Sequence, residues 1–184
     1  MTKRNWSQAT YIKAYRFAAE AHVGQLVPGT EISYLMHLSF VTMEVIAALA
    51  HHPEANGDLA IQCALLHDVV EDTAVTPTQV EALFGTAVAN GVLALTKNDQ
   101  LPNKQAKMAD SLARIQQQPH EVWMVKLADR ITNLQPPPAH WSREKIKAYR
   151  QEAIQIHQAL HPASDYLATR IQQKIETYQQ YEWN

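Results

Sequence analysis

A chain of 184 residues, 46% hydrophobic and 18% charged, is long enough to bury one core and short enough that a second domain is not expected. Its formal net charge of −2 leaves no electrostatic footprint for nucleic acid or an anionic membrane, so any phosphate chemistry must be local. A single cysteine, Cys63, excludes an internal disulfide and fits a reducing cytoplasm, and no stretch approaches a membrane span or a signal-peptide core.

Five glycines, no convincing strand alternation and abundant Ala, Leu, Gln, Glu and Lys predict a nearly all-helical chain. Ser7 caps a first helix through about Ala21, with Tyr11, Tyr15, Ala18 and Ala19 at helical spacing. Gly24 interrupts it, and Gln25 to Tyr34, holding Val27-Pro28-Gly29-Thr30, reads as an ordered loop leading to His37. A second helix is expected over about Leu38 to His51 and a third from Asp58 to about Val70. The third is apolar on most sides, which places it at the centre of a bundle. Thr76 and Pro77 open a short helix that closes at Gly85. Helices over Thr86 to Leu95, Asn103 to Gln118 and Glu121 to about Gln135 follow, the last stopped by Pro136-Pro137-Pro138. Two amphipathic helices, Ser142 to Leu160 and Ala163 to Tyr181, complete the chain and either cover the core or present a face to another copy.

The chemistry concentrates in His67-Asp68-Val69-Val70-Glu71-Asp72-Thr73, which closes the apolar run beginning at Ala60. On a continuous helix over Leu59 to Val70, His67 lies beside Glu71 and Asp68 beside Asp72. A carboxylate withdrawn from water is unfavourable without a cation or donor, and a divalent metal supplies one. Imidazole with carboxylate suits borderline and harder first-row ions, so His67 and Asp68 read as two ligands awaiting others. Glu71 and Asp72 would stand just outside them, where carboxylates orient or deprotonate water. His37 and Asp129 are candidate partners from other helices, each equally open to a reading as a satisfied core histidine or an ion-paired aspartate. Asn133 lies one turn beyond Asp129 on the same face. His22 reads as a helix-end cation ahead of a group behind the site, Thr73 as a local helix stop, and Cys63 as a small buried hydrophobe. His51-His52 are left out of the site, and Trp123, Trp141 and Trp183 read as packing residues because no basic groove accompanies them in the sequence.

The order His, His-Asp, Asp on separate helices resembles the HD-domain metal-dependent phosphohydrolases. More closely, His22-Val23-Gly24-Gln25, Tyr34-Leu35-Met36-His37, Leu66-His67-Asp68-Val69-Val70-Glu71-Asp72-Thr73, Leu95-Thr96-Lys97 and Lys126-Leu127-Ala128-Asp129-Arg130-Ile131-Thr132-Asn133 are similar to the hydrolase domain of the RelA/SpoT alarmone enzymes and their stand-alone small hydrolases. The likeness runs from about Tyr11 to Gln135. It implies an all-α, single-domain helical bundle of the HD type over residues 1–184, with the motifs within 11–135 and the helices of 142–181 packed on the core or forming an interface. It also implies one Mn²⁺ held by His37, His67, Asp68 and Asp129, although Fe²⁺, Zn²⁺, Co²⁺ or Ni²⁺ suit the same donors. Glu71 and Asp72 would position and activate the attacking water, and Asn133, with Arg130 and Lys126, would meet a small phosphorylated nucleotide. The implied reaction removes the 3′-pyrophosphate from guanosine tetra- or pentaphosphate. The departures fall on substrate recognition: the family's Arg-Lys pair and Gly-x-Pro-Tyr are absent from Gln25 to Tyr34, Leu38 follows the metal histidine where proline is usual, and Gln135 replaces a basic residue. Hydrolysis of another nucleotide or small phosphate ester, or nucleotide binding without turnover, are the alternatives.

Overall fold

The computed structural model describes residues 5–183. Helix starts follow from side-chain caps that satisfy the otherwise orphaned first amides. Ser7 accepts from the Thr10 amide to open α1 (Gln8–Ala21). The loop expected after it is present, closed by an antiparallel bridge between Leu26 and Ser33. The second helix, α2 (Leu35–Leu49), begins three residues before the expected Leu38, so His37 lies inside its first turn. Asn56 caps α3 (Gly57–Leu66), which begins one residue before the expected Asp58, and the Asp58 carboxylate accepts from the Ser7 amide 2.7 Å away.

The third helix does not run on to Val70. It stops at Leu66, turns through His67-Asp68 and resumes as α4 (Val69–Asp72). Asp68 sits at φ −103°, ψ −2°, off the helical path, yet its carbonyl still accepts from the Asp72 amide at 2.8 Å. The expected one-turn spacing of Asp68 and Asp72 therefore survives locally, but the kink sends their side chains to different partners.

Thr76 and Gln79 form a reciprocal capping box at α5 (Pro77–Phe84), and Gly85, at φ +87°, turns the chain directly into α6 (Thr86–Leu95). Asn103 caps α7 (Lys104–Gln116). The eighth helix, α8 (His120–Asn133), ends before the triple proline is reached, because Leu134 already leaves helical geometry at ψ 62°. Ser142 caps α9 (Arg143–Leu160), and Ser164 caps α10 (Asp165–Tyr178), two residues later than expected because Pro162 sits in a 3₁₀ turn.

Burial explains the arrangement. Leu59, Ile61, Cys63, Leu65 and Leu66 point from several sides of α3 and are all buried, so α3 occupies the middle, touched by α1, α2, α6 and α8. Helices α9 and α10 lay Ile156, Leu160, Leu167 and Ile171 against α8 and cover the core. Arg170 of α10 grips the buried Glu44 of α2 through both carboxylate oxygens, joining the last helix to the second. Burial pushes the Cys63 thiol up to about 12, so this cysteine is a packing residue, as its apolar surroundings imply. Among the described residues no helix is long and apolar enough to cross a membrane.

Candidate metal centre and its pocket

Two helices and the α3–α4 kink converge on one point. His37 comes from the first turn of α2, His67 and Asp68 from the kink, and Asp129 from just before the last turn of α8. Ligand atoms of His37, His67 and Asp129 lie within 4.8 Å of one another. The two Nε2 atoms are 3.3 Å apart, and His37 Nε2 is 3.5 Å from Asp129 Oδ1. Asp68 Oδ2 closes the other side, 2.9 Å from His67 Nε2 and 3.7 Å from His37 Nε2. The kink is what makes this approach available, since neighbours on an unbroken helix point about 100° apart.

The side chains behind these four fix their orientation. His67 Nδ1 donates to the Ala64 carbonyl at 2.8 Å, which turns Nε2 toward the cluster. Tyr34 donates its hydroxyl to Asp68 Oδ2, and burial together with Asp68 holds that phenol far above its usual range, so it stays a donor. Asn133 Nδ2 donates to Asp129 Oδ1, and Lys126 Nζ lies 3.1 Å from Asp129 Oδ2. Two of the three residues expected from the sequence to meet substrate thus steady a candidate ligand.

The electrostatics of the cluster favour positive charge beside its carboxylates. Burial lowers His37 and keeps it neutral, the form that coordinates metal. Burial acts the same way on His67, but Asp68 and Asp129 outweigh it and push that imidazole up to about 9. Despite their own burial, both aspartates are held below the usual carboxylate range, Asp68 chiefly by His67 and Asp129 by Lys126 and His67. Two neutral-capable imidazoles and two carboxylates with buried atoms this close fit a divalent first-row ion, which would take over the role of the His67 proton.

Glu71 and Asp72 flank the cluster with separate attachments. Glu71 Oε2 accepts from the Lys97 amide at 2.9 Å and Oε1 from the Lys97 ammonium. Asp72 Oδ2 accepts from Gln25 Nε2 at 3.0 Å. Burial and the charge of Asp68 raise the Asp72 carboxyl, while Gln25 pulls it back. Thr73 Oγ1 donates to the Val69 carbonyl at 2.6 Å and ends α4, with no contact to the cluster.

The cluster opens into a cavity of about 590 Å³. Its wall carries Lys97, Lys104, Lys107, Lys126 and Lys145, with Trp141 and Tyr149 between them. The basic groove that could not be seen along the sequence is therefore assembled from several helices, and Trp141 belongs to it, with the Lys145 ammonium 4.1 Å from its ring centre. Lys145, Trp141, Tyr149 and Tyr34 were not singled out from the sequence as site residues. Only Tyr34, three residues before His37, had a local motif to betray it. Arg130 reaches the same wall but is engaged within it: its guanidinium lies 4.4 Å from the Tyr149 ring centre and pairs with Glu152 at 3.2 Å. From the Gln25 to Tyr34 loop, only Tyr34 lines the cavity. His51 and His52 are elsewhere, stacked on Tyr166 and bonded to Ser164.

Known proteins are similar to this chain over most of its length. The chain is 31% identical over 172 residues to the guanosine-3′,5′-bis(diphosphate) 3′-pyrophosphohydrolase MESH1 of Danio rerio, covering 91% of this chain and 93% of that one. The Homo sapiens MESH1 of the same description is 32% identical over 160 residues, covering 83% and 85%. A solved structure described as a metazoan ortholog of SpoT that hydrolyzes ppGpp superimposes with a TM-score of 0.78 at 25% identity, over 94% of this chain and 97% of that one. The HD domain family itself matches residues 14–164, a span that takes in His37, His67, Asp68 and Asp129. With its all-helical bundle and its two histidines and two aspartates gathered at one kink, the chain belongs to the HD domain family.

Proposed function

We propose that this protein is a metal-dependent phosphohydrolase that removes the 3′-pyrophosphate from guanosine-3′,5′-bis(diphosphate). The observation that carries the reading is the junction of the His37, His67, Asp68 and Asp129 cluster with a cavity whose wall is cationic. A substrate with phosphate groups at two places needs both a centre for the reacting phosphorus and positive charge away from it. Lys104, Lys107 and Lys145 supply the second.

His37, His67, Asp68 and Asp129 are the residues assigned to hold the ion, taken as Mn²⁺. When bound, such an ion lowers the pKa of the attacking water and neutralises charge on the phosphoryl oxygens. Glu71 and Asp72 position that water, and one of their carboxylate oxygens takes its proton. The new O–P bond forms as the bond from phosphorus to the nucleotide 3′-oxygen breaks, and the departing oxygen is protonated. Guanosine tetraphosphate then gives GDP and pyrophosphate, with no covalent enzyme intermediate. Asn133 and Lys126 hold Asp129 and face the nucleotide from the same helix, and Arg130 supports the wall through Tyr149. The buried thiol of Cys63 supports a cytoplasmic setting.

One observation favours a second reading, hydrolysis of a different phosphorylated nucleotide: the Gln25 to Tyr34 loop contributes no cation to the cavity. A panel of phosphorylated nucleotides incubated with the Mn²⁺-loaded protein decides between them. Pyrophosphate released from guanosine tetraphosphate is the expected result. Orthophosphate released from monophosphates, with the tetraphosphate untouched, would replace the first reading by the second.

A further inference from the structure

Asp72 is largely exposed at the cavity wall, where hydrogen bonds set the direction of its carboxylate. The structure supplies a chain of them that begins in the core. His22 is buried at 2% exposure and caps the C-terminal end of α1. Its Nδ1 lies 2.6 Å from Gln25 Oε1, and Gln25 Nε2 lies 3.0 Å from Asp72 Oδ2. Gly24, at φ +80°, bends the chain so that the Gln25 amide returns to the His22 carbonyl at 3.0 Å and its side chain can face the imidazole.

The direction of each bond follows from donor and acceptor chemistry. An ionised carboxylate only accepts, so Gln25 presents its amide nitrogen to Asp72 and its oxygen to His22. His22 must then donate from Nδ1, which leaves its Nε2 buried with no partner among the described residues. An orphaned acceptor in that position is tolerated better than an orphaned N–H. The flanking carboxylate differs: both Glu71 oxygens accept bonds from Lys97, whereas Asp72 Oδ1 has no hydrogen bond among the described residues.

We infer that Gln25, held by the buried His22, is a positioning residue that fixes the Asp72 carboxylate with Oδ1 free to take the proton of the attacking water. The inference rests on the reading above that Asp72 works beside the metal centre, and it divides the labour of the acidic pair. Asp72 accepts the proton, while Glu71, held through both oxygens by Lys97, orients the water. Neither His22 nor Gln25 lines the cavity, so they act through Asp72 and not on substrate.

The test combines kinetics with a measurement that needs no turnover. With Mn²⁺ and guanosine tetraphosphate, Gln25→Leu should lower kcat by about 10- to 100-fold, with KM within about twofold and bound Mn²⁺ unchanged. His22→Leu should lose about as much, and His22→Asn, whose amide nitrogen falls where the imidazole Nδ1 stood, should recover most of that loss. In an Asp72→Asn background, Gln25→Leu should add no further loss. In the metal-free protein at pH 8, imidazole ¹⁵N spectra should show His22 protonated on Nδ1, with the signal displaced in Gln25→Leu. Unchanged kcat in Gln25→Leu, a rise confined to KM, or an Nε2-protonated His22 each overturns the inference. If the unaltered protein cleaves no nucleotide in the panel, the functional reading fails, and the tautomer measurement still decides whether the tether exists.

Discussion

At the scale of single residues, His67 sets the terms for metal binding. Two aspartates raise its imidazole from the ordinary 6.5 to about 9, against the opposing pull of burial. An incoming ion must displace that proton, so Mn²⁺ affinity should climb about tenfold per pH unit toward pH 9 and level off above it. Metal-free stability moves the other way. A raised imidazole stabilises the fold below 6.5, and that contribution fades as pH rises through about 9. Titration calorimetry with Mn²⁺ and melts of chelator-treated protein across this window measure both trends, and an affinity flat between pH 7 and 9 would contradict the account. Substitution separates the ligands from their neighbours. Asp68→Ala should abolish Mn²⁺ binding, whereas Glu71→Gln should keep the ion and lose turnover by about 10²-fold or more. Equal metal loss in the two variants would show that the division of roles is wrong. The four proposed ligands could be picked out in the sequence because each sits in a short motif with a recognisable order. Their supports could not, because Gln25 meets Asp72 across 47 positions and Lys97 meets Glu71 across 26, and no local pattern encodes such a meeting.

Helix identities were legible from spacing and caps, and the differences arise where tertiary demands override local preference. The α3–α4 kink is the main one. An apolar run through Val70 favours one unbroken helix, but such a helix could not aim Asp68 at His37 and leave Asp72 for Gln25. The early start of α2 has a similar source, because Tyr34 is anchored to Asp68 and the helix begins directly after it. Packing between elements also makes a prediction. Gly91 of α6 faces α3 so closely that an added Cβ would lie 2.7 Å from Cys63 Sγ and 3.0 Å from Val122 Cγ2. Gly91→Ala should therefore destabilise the protein by about 1–3 kcal/mol despite alanine's better helix propensity. Removing the obstructing sulfur in a Gly91→Ala, Cys63→Ala double variant should recover part of that loss in denaturant melts. A Gly91→Ala variant as stable as the parent would mean that α3 and α6 can move apart freely.

Across the whole molecule, the sequence hid the charge of the pocket. A net charge of −2 averages over lysines that the fold concentrates on one wall, drawn from α7, α8, α9 and the turn after α6. Binding that relies on such a wall weakens as salt screens it, with a Debye length of about 10 Å at 0.1 M. The KM for guanosine tetraphosphate should rise with ionic strength while kcat changes little. Lys104→Ala and Lys145→Ala should each raise KM by about 5- to 30-fold, reflecting one lost charge-assisted contact of about 1–2 kcal/mol. A KM indifferent to both salt and these substitutions would place the substrate's distal phosphates elsewhere.

Part of the wall also stands on helices that hold none of the proposed ligands. The ion's four proposed ligands come from α2, the α3–α4 kink and α8, whereas Lys104, Lys107 and Lys145 come from α7 and α9. Drift on α7 and α9 can therefore retune which ester is accepted without disturbing the reaction itself. Descendants of one ancestral hydrolase could diverge in diet while keeping the same teeth, and grafting these two helices between relatives would transplant preference as a unit.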